Sequence, residues 1–323
     1  MLWRQKKIES VGPSPIEAKL YTSRHLPVGR ALWWVARLAV GVALVVVLLG
    51  VGVVALYKIQ GGEALLLPLS RVLPIPAARV NGRTVLYRDY ARMLDGWVYL
   101  YGRQGVLEAV GQETLKRRVL DRLVQDALVG QMLRSMGVTV LPEEERQQWE
   151  ALSKPYGSEA VFAATVQEQF GWDGEAFKRY VVEPLVRLRV ADEAVLSWEE
   201  AQREPRAVID ALYADVRIAP DRFEEMASQT SASLLLGDDD EVGLRLMTEY
   251  PLEARALLTS APKGAVTDVV ELADRFVLYK IVEREREDDE VRVEVRELSI
   301  EKRDVHDLLR EWIAEAKIRV YVR

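Results

Sequence analysis

The sequence predicts an α+β protein with one transmembrane helix, a mainly helical domain and a small domain of short helices and non-local strands. Three observations carry this. Leu38–Leu56 is a run of nineteen residues with no charge and no hydrogen-bonding side chain. From 88 to about 197, apolar residues recur at helical spacing. Beyond Ala261, short β-prone runs alternate with helical stretches, as expected of an α+β unit.

The membrane segment comes first. At ~1.5 Å rise per residue the apolar run nearly crosses a hydrocarbon core of roughly 30 Å, and flanking residues extend the transmembrane helix to 31–57. Trp33, Trp34 and Tyr57 stand at its edges, where amphipathic rings belong, and Arg37 can snorkel to the headgroups. Residues 1–30 carry Arg4, Lys6, Lys7, Lys19, Arg24 and Arg30 against Glu9 and Glu17, whereas the other flank offers Lys58 and then no basic residue until Arg71. The positive-inside rule makes 1–30 a cytoplasmic tail and places the rest outside the cytoplasmic membrane. A cleaved signal peptide would have a shorter core and a small-x-small site, but here Tyr57-Lys58-Ile59-Gln60 follows, so an uncleaved single-pass anchor is expected.

Composition narrows what the exterior can do. Taking the seven basic and two acidic residues of 1–37 from the totals of 44 and 50 leaves a net charge of −11, which argues against nucleic acid as a partner. Without cysteine, neither disulfides nor thiolate metal sites are available, and two histidines, His25 and His306, exclude a multi-histidine metal site. No cofactor is expected. The acidic run Asp238–Glu241 lacks the alternation and central glycine of a calcium loop and reads as a solvated surface loop.

A linker at 58–77 is marked by Gly61-Gly62 and the prolines at 68, 74 and 76. Residues 78–86 read as a tight hairpin about Asn81-Gly82. A helix from Arg88 to Tyr101 sets Tyr90, Leu94, Trp97 and Tyr101 on one stripe, and a second runs from Gln112 to Met136, stopped by Gly137. Pro142 opens a third, with Glu143–Glu145 complementing its dipole. A short helix at 158–170 precedes Asp173, which can cap a further helix to about Ser197. Packed amphipathic helices account for the Trp, Tyr and Met stripes without a ligand. Helices at 199–214, 221–230 and 251–259 follow, then strands at 269–272 and 275–282. The charge run Glu283–Glu290 reads as an exposed loop or hairpin tip. A strand at 291–300, a helix at 304–316 and a strand at 318–322 close the chain.

The order of these elements resembles a known group. Val80-Asn81-Gly82, Val119-Leu120-Asp121-Arg122-Leu123-Val124 and Gly137-Val138-Thr139-Val140 are similar to the N-terminal chaperone domain of the SurA, PrsA and PpiD extracytoplasmic foldases. Residues 201–283 resemble a parvulin-type (PpiC-type) prolyl isomerase domain. Phe223-Glu224-Glu225-Met226-Ala227 with Ser231, Val242-Gly243-Leu244, Lys263-Gly264-Ala265-Val266-Thr267-Asp268-Val269-Val270 and Arg275–Val282 carry that likeness. The closing segment from Glu311 is like the one that returns to complete the chaperone domain in this group. The resemblance covers about 245 of 323 residues.

It implies a SurA-like helical domain at 78–198, completed by 304–323, and a parvulin-like domain at 199–303. The nearest match to the first parvulin strand, Val293–Ile300, lies after the domain, so a permuted order is expected. By resemblance the parvulin cleft falls at Ser231, Leu244, Met247, Phe276, Val277 and Glu297. Val277 stands at one family histidine and Glu297 at the other, so isomerase activity is expected to be weak or lost. Within the run, Val291, Val293 and Val295 share one face and Leu298 and Ile300 the other; a bulge near Glu297, or Glu297 pointing into the domain, would reconcile them.

The resemblance thus implies a membrane-anchored chaperone for unfolded or nascent exported polypeptides, with a translocon or another membrane protein as a further partner. An active prolyl isomerase using Glu297 and Ser231 is one alternative, and a non-catalytic scaffold of a membrane complex is another.

Overall fold

The computed structural model describes residues 63–229, 243–287 and 290–322. The predicted tail and membrane span, the acidic run 238–241 and Ser231 lie outside them. Among the described residues no helix is long and apolar enough to cross a membrane. Part of the expected linker is helix α1 (Glu63–Ser70), whose Glu-Ala-Leu-Leu-Leu opening consists of strong helix formers.

The hairpin forms as its turn chemistry dictates. Strands β1 (Pro76–Val80) and β2 (Arg83–Leu86) are joined by Asn81 and Gly82 at φ 51° and 83°, left-handed values that this residue pair tolerates. The C-terminal strand β7 (Ile318–Val320) pairs antiparallel with the other edge of β1, giving the order β2-β1-β7. Asn81 fastens this return. Its backbone N–H donates to Lys317 O (3.1 Å), and its Oδ1 accepts from the Lys317 N–H (2.9 Å).

Helices follow in the predicted order. They are α2 (Tyr87–Arg103), the single turn α3 (Leu107–Val110), the long α4 (Gln112–Ser135), α5 (Pro142–Ser153) and α6 (Glu159–Phe170). Local signals set the ends. Gly137 takes φ 71° after α4, Glu144 accepts the Leu141 N–H (2.7 Å) at the start of α5, and Ser158 Oγ accepts the Val161 N–H (3.3 Å) at the start of α6.

The helix expected to run unbroken from Asp173 is instead divided. α7 (Gly174–Phe177), capped by Asp173 Oδ1 on the Ala176 N–H (2.7 Å), gives way to a π turn at Lys178–Val182 and then α8 (Glu183–Leu196). Pro184 explains the break. It has no N–H for the Tyr180 carbonyl, and the preceding turn widens so that the Glu183 N–H reaches Lys178 O.

The chain then crosses into α9 (Glu199–Ile218), α10 (Phe223–Gln229), the short strand β3 (Arg245–Leu246), α11 (Leu252–Ser260), β4 (Val270–Glu271), β5 (Arg275–Glu287) and β6 (Glu290–Glu301). The four strands form an antiparallel sheet in the order β3-β6-β5-β4. The late strand therefore enters the interior of a sheet whose other members precede it in sequence. The chain returns through α12 (Val305–Glu315), whose N-terminus is capped by Asp304.

Of the two readings of the charge run, an exposed loop or a hairpin tip, the second holds: β5 continues through Glu287 and pairs with β6 as far as Glu290, so the run forms the far end of the β5–β6 hairpin, where charged residues still complete the backbone ladder. There is no bulge at Glu297. The ladder irregularity falls between Ile281 and Glu283, opposite Val295 and Glu294, while Tyr279 and Glu297 stay in register. The face change in β6 needs no bulge, because both faces of the sheet are covered. Phe276, Leu278 and Leu298 pack with Ile209 and Val216 of α9 and Phe223 of α10. Val277, Tyr279, Ile281 and Val293 pack with Ala254 and Leu258 of α11.

Candidate functional site

The positions suggested by the parvulin resemblance do not assemble into one cleft. Phe276 (2% exposed) belongs to the α9–α10 face, whereas Val277 (fully buried), Met247 and Glu297 lie on the α11 side. Alternation along adjacent strands makes this unavoidable, since neighbours 276 and 277 must point oppositely. Leu244 is half-buried at the entry to β3, and Ser231 is outside the described residues. Val277 is paired across the ladder with Ser299 and offers no polar atom to a ligand.

Glu297 does point into the domain. Its Oε1 lies 3.6 Å from Arg275 Nε, and neither buried atom has a hydrogen-bond partner. Burial pushes the Glu297 carboxyl above its ordinary value, while Arg275 pulls it down and Asp274 adds to the upward push. Burial also raises the neighbouring Tyr279 hydroxyl, with Glu297 contributing. This is a confined ion pair near Tyr250 and Tyr279, whose hydroxyls are pushed up by burial and, to a lesser extent, by the Glu297 charge. His306, the histidine on α12, is exposed, with Nδ1 3.5 Å from Asp304 Oδ2.

The helical part presents an open apolar groove of about 310 Å³. Met93, Trp172 and Tyr180 form its buried floor, and Trp97, Leu100, Tyr101 and Leu185 form its walls and rim. Arg122 adds a single charged side chain to the lining. Trp97 and Tyr101, one turn apart on α2, stack with centroids 6.3 Å apart, and Phe170 stacks on Trp172 at 5.3 Å.

Two local devices build this groove. Gly96 has no side chain, so Trp172 lies directly on the backbone of α2; a Cβ at 96 would come within 2.1 Å of the indole. The Trp172 Nε1–H is satisfied by Arg92 O at 3.0 Å. The π turn contributes Tyr180 and Val181 to the lining. Tyr180 donates to Asp89 Oδ1 (3.2 Å), and burial, reinforced by Asp89, pushes its hydroxyl up to about 12, so it remains a neutral donor.

The Tyr90–Leu94–Trp97–Tyr101 stripe was legible in sequence as a packing face, and the structure divides it. Tyr90 is buried, while Trp97 and Tyr101 remain half-open in the groove. Nothing in the helical periodicity distinguishes the two ends. The Gly96–Trp172 contact, 76 residues apart in sequence, does.

No curated protein gives a significant match to this chain. Residues 29–193, which contain all of the groove, match the SurA-like N-terminal domain model. That match spans just over half of the 323 residues, and the chain belongs to the SurA-like N-terminal domain family.

Proposed function

We propose that this protein is a membrane-tethered chaperone that holds unfolded exported polypeptides in the aromatic groove of its helical part. One observation carries the reading: within the family-matched region, Trp97, Leu100, Tyr101 and Leu185 surround an open apolar groove. Unfolded chains differ from folded ones chiefly in their exposed apolar side chains. A groove of this kind binds them by burial at ~25 cal/mol per Å², without reading a fixed sequence. The nineteen-residue apolar segment supplies the tether, which raises the local concentration of the groove where exported chains emerge.

In this proposal the sheet-bearing part is a parvulin-like module in permuted order, and it carries no isomerase chemistry. The placement of β6 between β3 and β5 supports the permutation. The buried Val277 and the confined Glu297–Arg275 pair support the loss of chemistry, since neither is placed against a proline-sized cleft with Phe276.

The test is suppression of client aggregation by the full chain. Trp97→Ala combined with Leu185→Asp is expected to reduce suppression several-fold while the melting temperature stays close to that of the parent. Undiminished suppression would remove the groove from the function. In a proline-containing peptide assay no turnover is expected; turnover that disappears in Glu297→Ala would restore the isomerase reading.

A further inference from the structure

Four arginines converge on one cavity next to α1. The cavity, about 510 Å³, is lined by Arg71 from the turn after α1, Arg88 and Arg92 from the start of α2, and Arg179 from the π turn. Two carboxylates share the wall, Asp89 and Asp95. Arg179 is 3.0 Å from Asp89, and Arg92 is 2.8 Å from Asp173 outside the wall. Among the described residues, Arg71 and Arg88 meet no carboxylate within ion-pair distance. Exposed apolar side chains accompany it: Leu67, 38% exposed, lines the cavity, and Leu69 and Val72, 37% and 85% exposed, are the chain neighbours of its lining residues Ser70 and Arg71.

We propose that this cavity is a phosphate-headgroup site by which the folded part rests on an anionic phospholipid surface. The argument is one of complementarity. Guanidinium groups pair with phosphate oxygens in a fixed fork, and the cavity holds two, those of Arg71 and Arg88, that form no ion pair among the described residues. Leu67, Leu69 and Val72 supply the apolar side chains that lodge at a headgroup–acyl boundary. An exterior with a net charge of −11 is repelled by an anionic bilayer as a whole, so contact is favoured where the local sign is reversed. Arg71 is also the first basic residue after Lys58, only fourteen residues beyond the end of the predicted span, so a weak site suffices. The inference stands apart from client binding in the groove and goes beyond it.

The full chain in nanodiscs of phosphatidylcholine, with and without phosphatidylglycerol, provides the test, read by amide hydrogen exchange over residues 67–95. Exchange there is expected to slow by about tenfold or more when phosphatidylglycerol is present, in line with two guanidinium groups at an anionic surface. The difference should vanish in the Arg71→Glu, Arg88→Glu double variant. The Arg71→Gln, Arg88→Gln pair repeats the measurement with milder changes, and the melting temperature verifies folding. Equal exchange in the two disc types would overturn the proposal. So would equal protection of detergent-held protein by inorganic phosphate or by an acidic peptide, which would assign the cavity to a free anion or to a polypeptide.

Discussion

The helical groove and the four-stranded sheet make opposite use of their aromatic residues. In the groove, Trp97 and Tyr101 remain half-exposed over a buried floor of Met93, Trp172 and Tyr180. In the sheet, Phe276 and Tyr279 are both 2% exposed, on opposite faces, each sealed by helices. An aromatic stripe signals binding only where the opposing layer leaves it uncovered. The sheet has helices over both faces; in the groove Gly96 lets Trp172 lie directly on α2 as the floor, and the widened turn brings Tyr180 and Val181 into the lining while Trp97 and Tyr101 stay uncovered.

The largest expected effect separates the two regions. Phe276→Ala should cost about 3–5 kcal/mol of stability, as for a fully buried aromatic truncated in a core, and leave client holding intact in the surviving folded fraction. Trp97→Ala should cost about 1 kcal/mol or less while weakening client holding. Chemical denaturation and an aggregation assay on the same samples would show this double dissociation. A loss of holding in Phe276→Ala at full occupancy of the folded state would break the contrast.

A smaller effect tests the wall itself. Gly96→Ala places a methyl group within 2.1 Å of the Trp172 indole and should cost about 1–3 kcal/mol through overpacking. It should also shift the tryptophan fluorescence as the indole moves off Arg92 O. An unchanged melting temperature and spectrum would mean that the floor is not held by this contact.

Where two chain crossings join the regions, Gln202 is 5% exposed. Its amide donates to Val195 O (2.8 Å) and Arg303 O (2.9 Å) and accepts from the Arg303 N–H (2.9 Å). Gln202→Ala leaves three backbone groups without this partner and should cost about 2 kcal/mol, with faster amide exchange at 196–199 and 301–304. Unaltered exchange at both crossings would show that the glutamine does not couple them.

Much of the helical part was legible in sequence because its signals are local. Asn81-Gly82, Gly137, Pro142, Ser158 and Asp173 each fix a turn or a helix end through neighbouring atoms. What escaped was long-range or subtractive. The groove depends on Gly96 meeting Trp172, and the π turn depends on an N–H that Pro184 lacks. In the sheet, the late strand at 290–301 was legible as a strand. The mixed parity of that strand left open a bulge or an inward-pointing Glu297, and only the packing of α9, α10 and α11 on both faces decides for the second. The same packing removes Phe276 from any cleft with Glu297.

The smallest effect compares one half-buried carboxyl from each region by its response to pH. Asp126 on α4 lies 3.4 Å from Arg122; burial outweighs the attraction of Arg122 and Arg187, raising its carboxyl to about 6 from an ordinary 3.8. The folded state therefore binds this proton more tightly than the unfolded chain. Stability contributed by the neutral form is present below about 3.8 and is lost as pH rises through about 6. Asp126→Asn should flatten that part of the pH profile and gain about 1 kcal/mol at neutral pH, less than the bare shift implies because the pairing with Arg122 is also lost. Glu297 is raised for the same leading reason and has the same sign, so Glu297→Gln should likewise be stabilising at neutral pH. Melting temperatures of the two variants and the parent across the acid range would decide the matter. A variant less stable than the parent at neutral pH would show that its carboxylate is held as a net-favourable ion pair, and for Glu297 it would reopen the question of what the Arg275 pair is kept for.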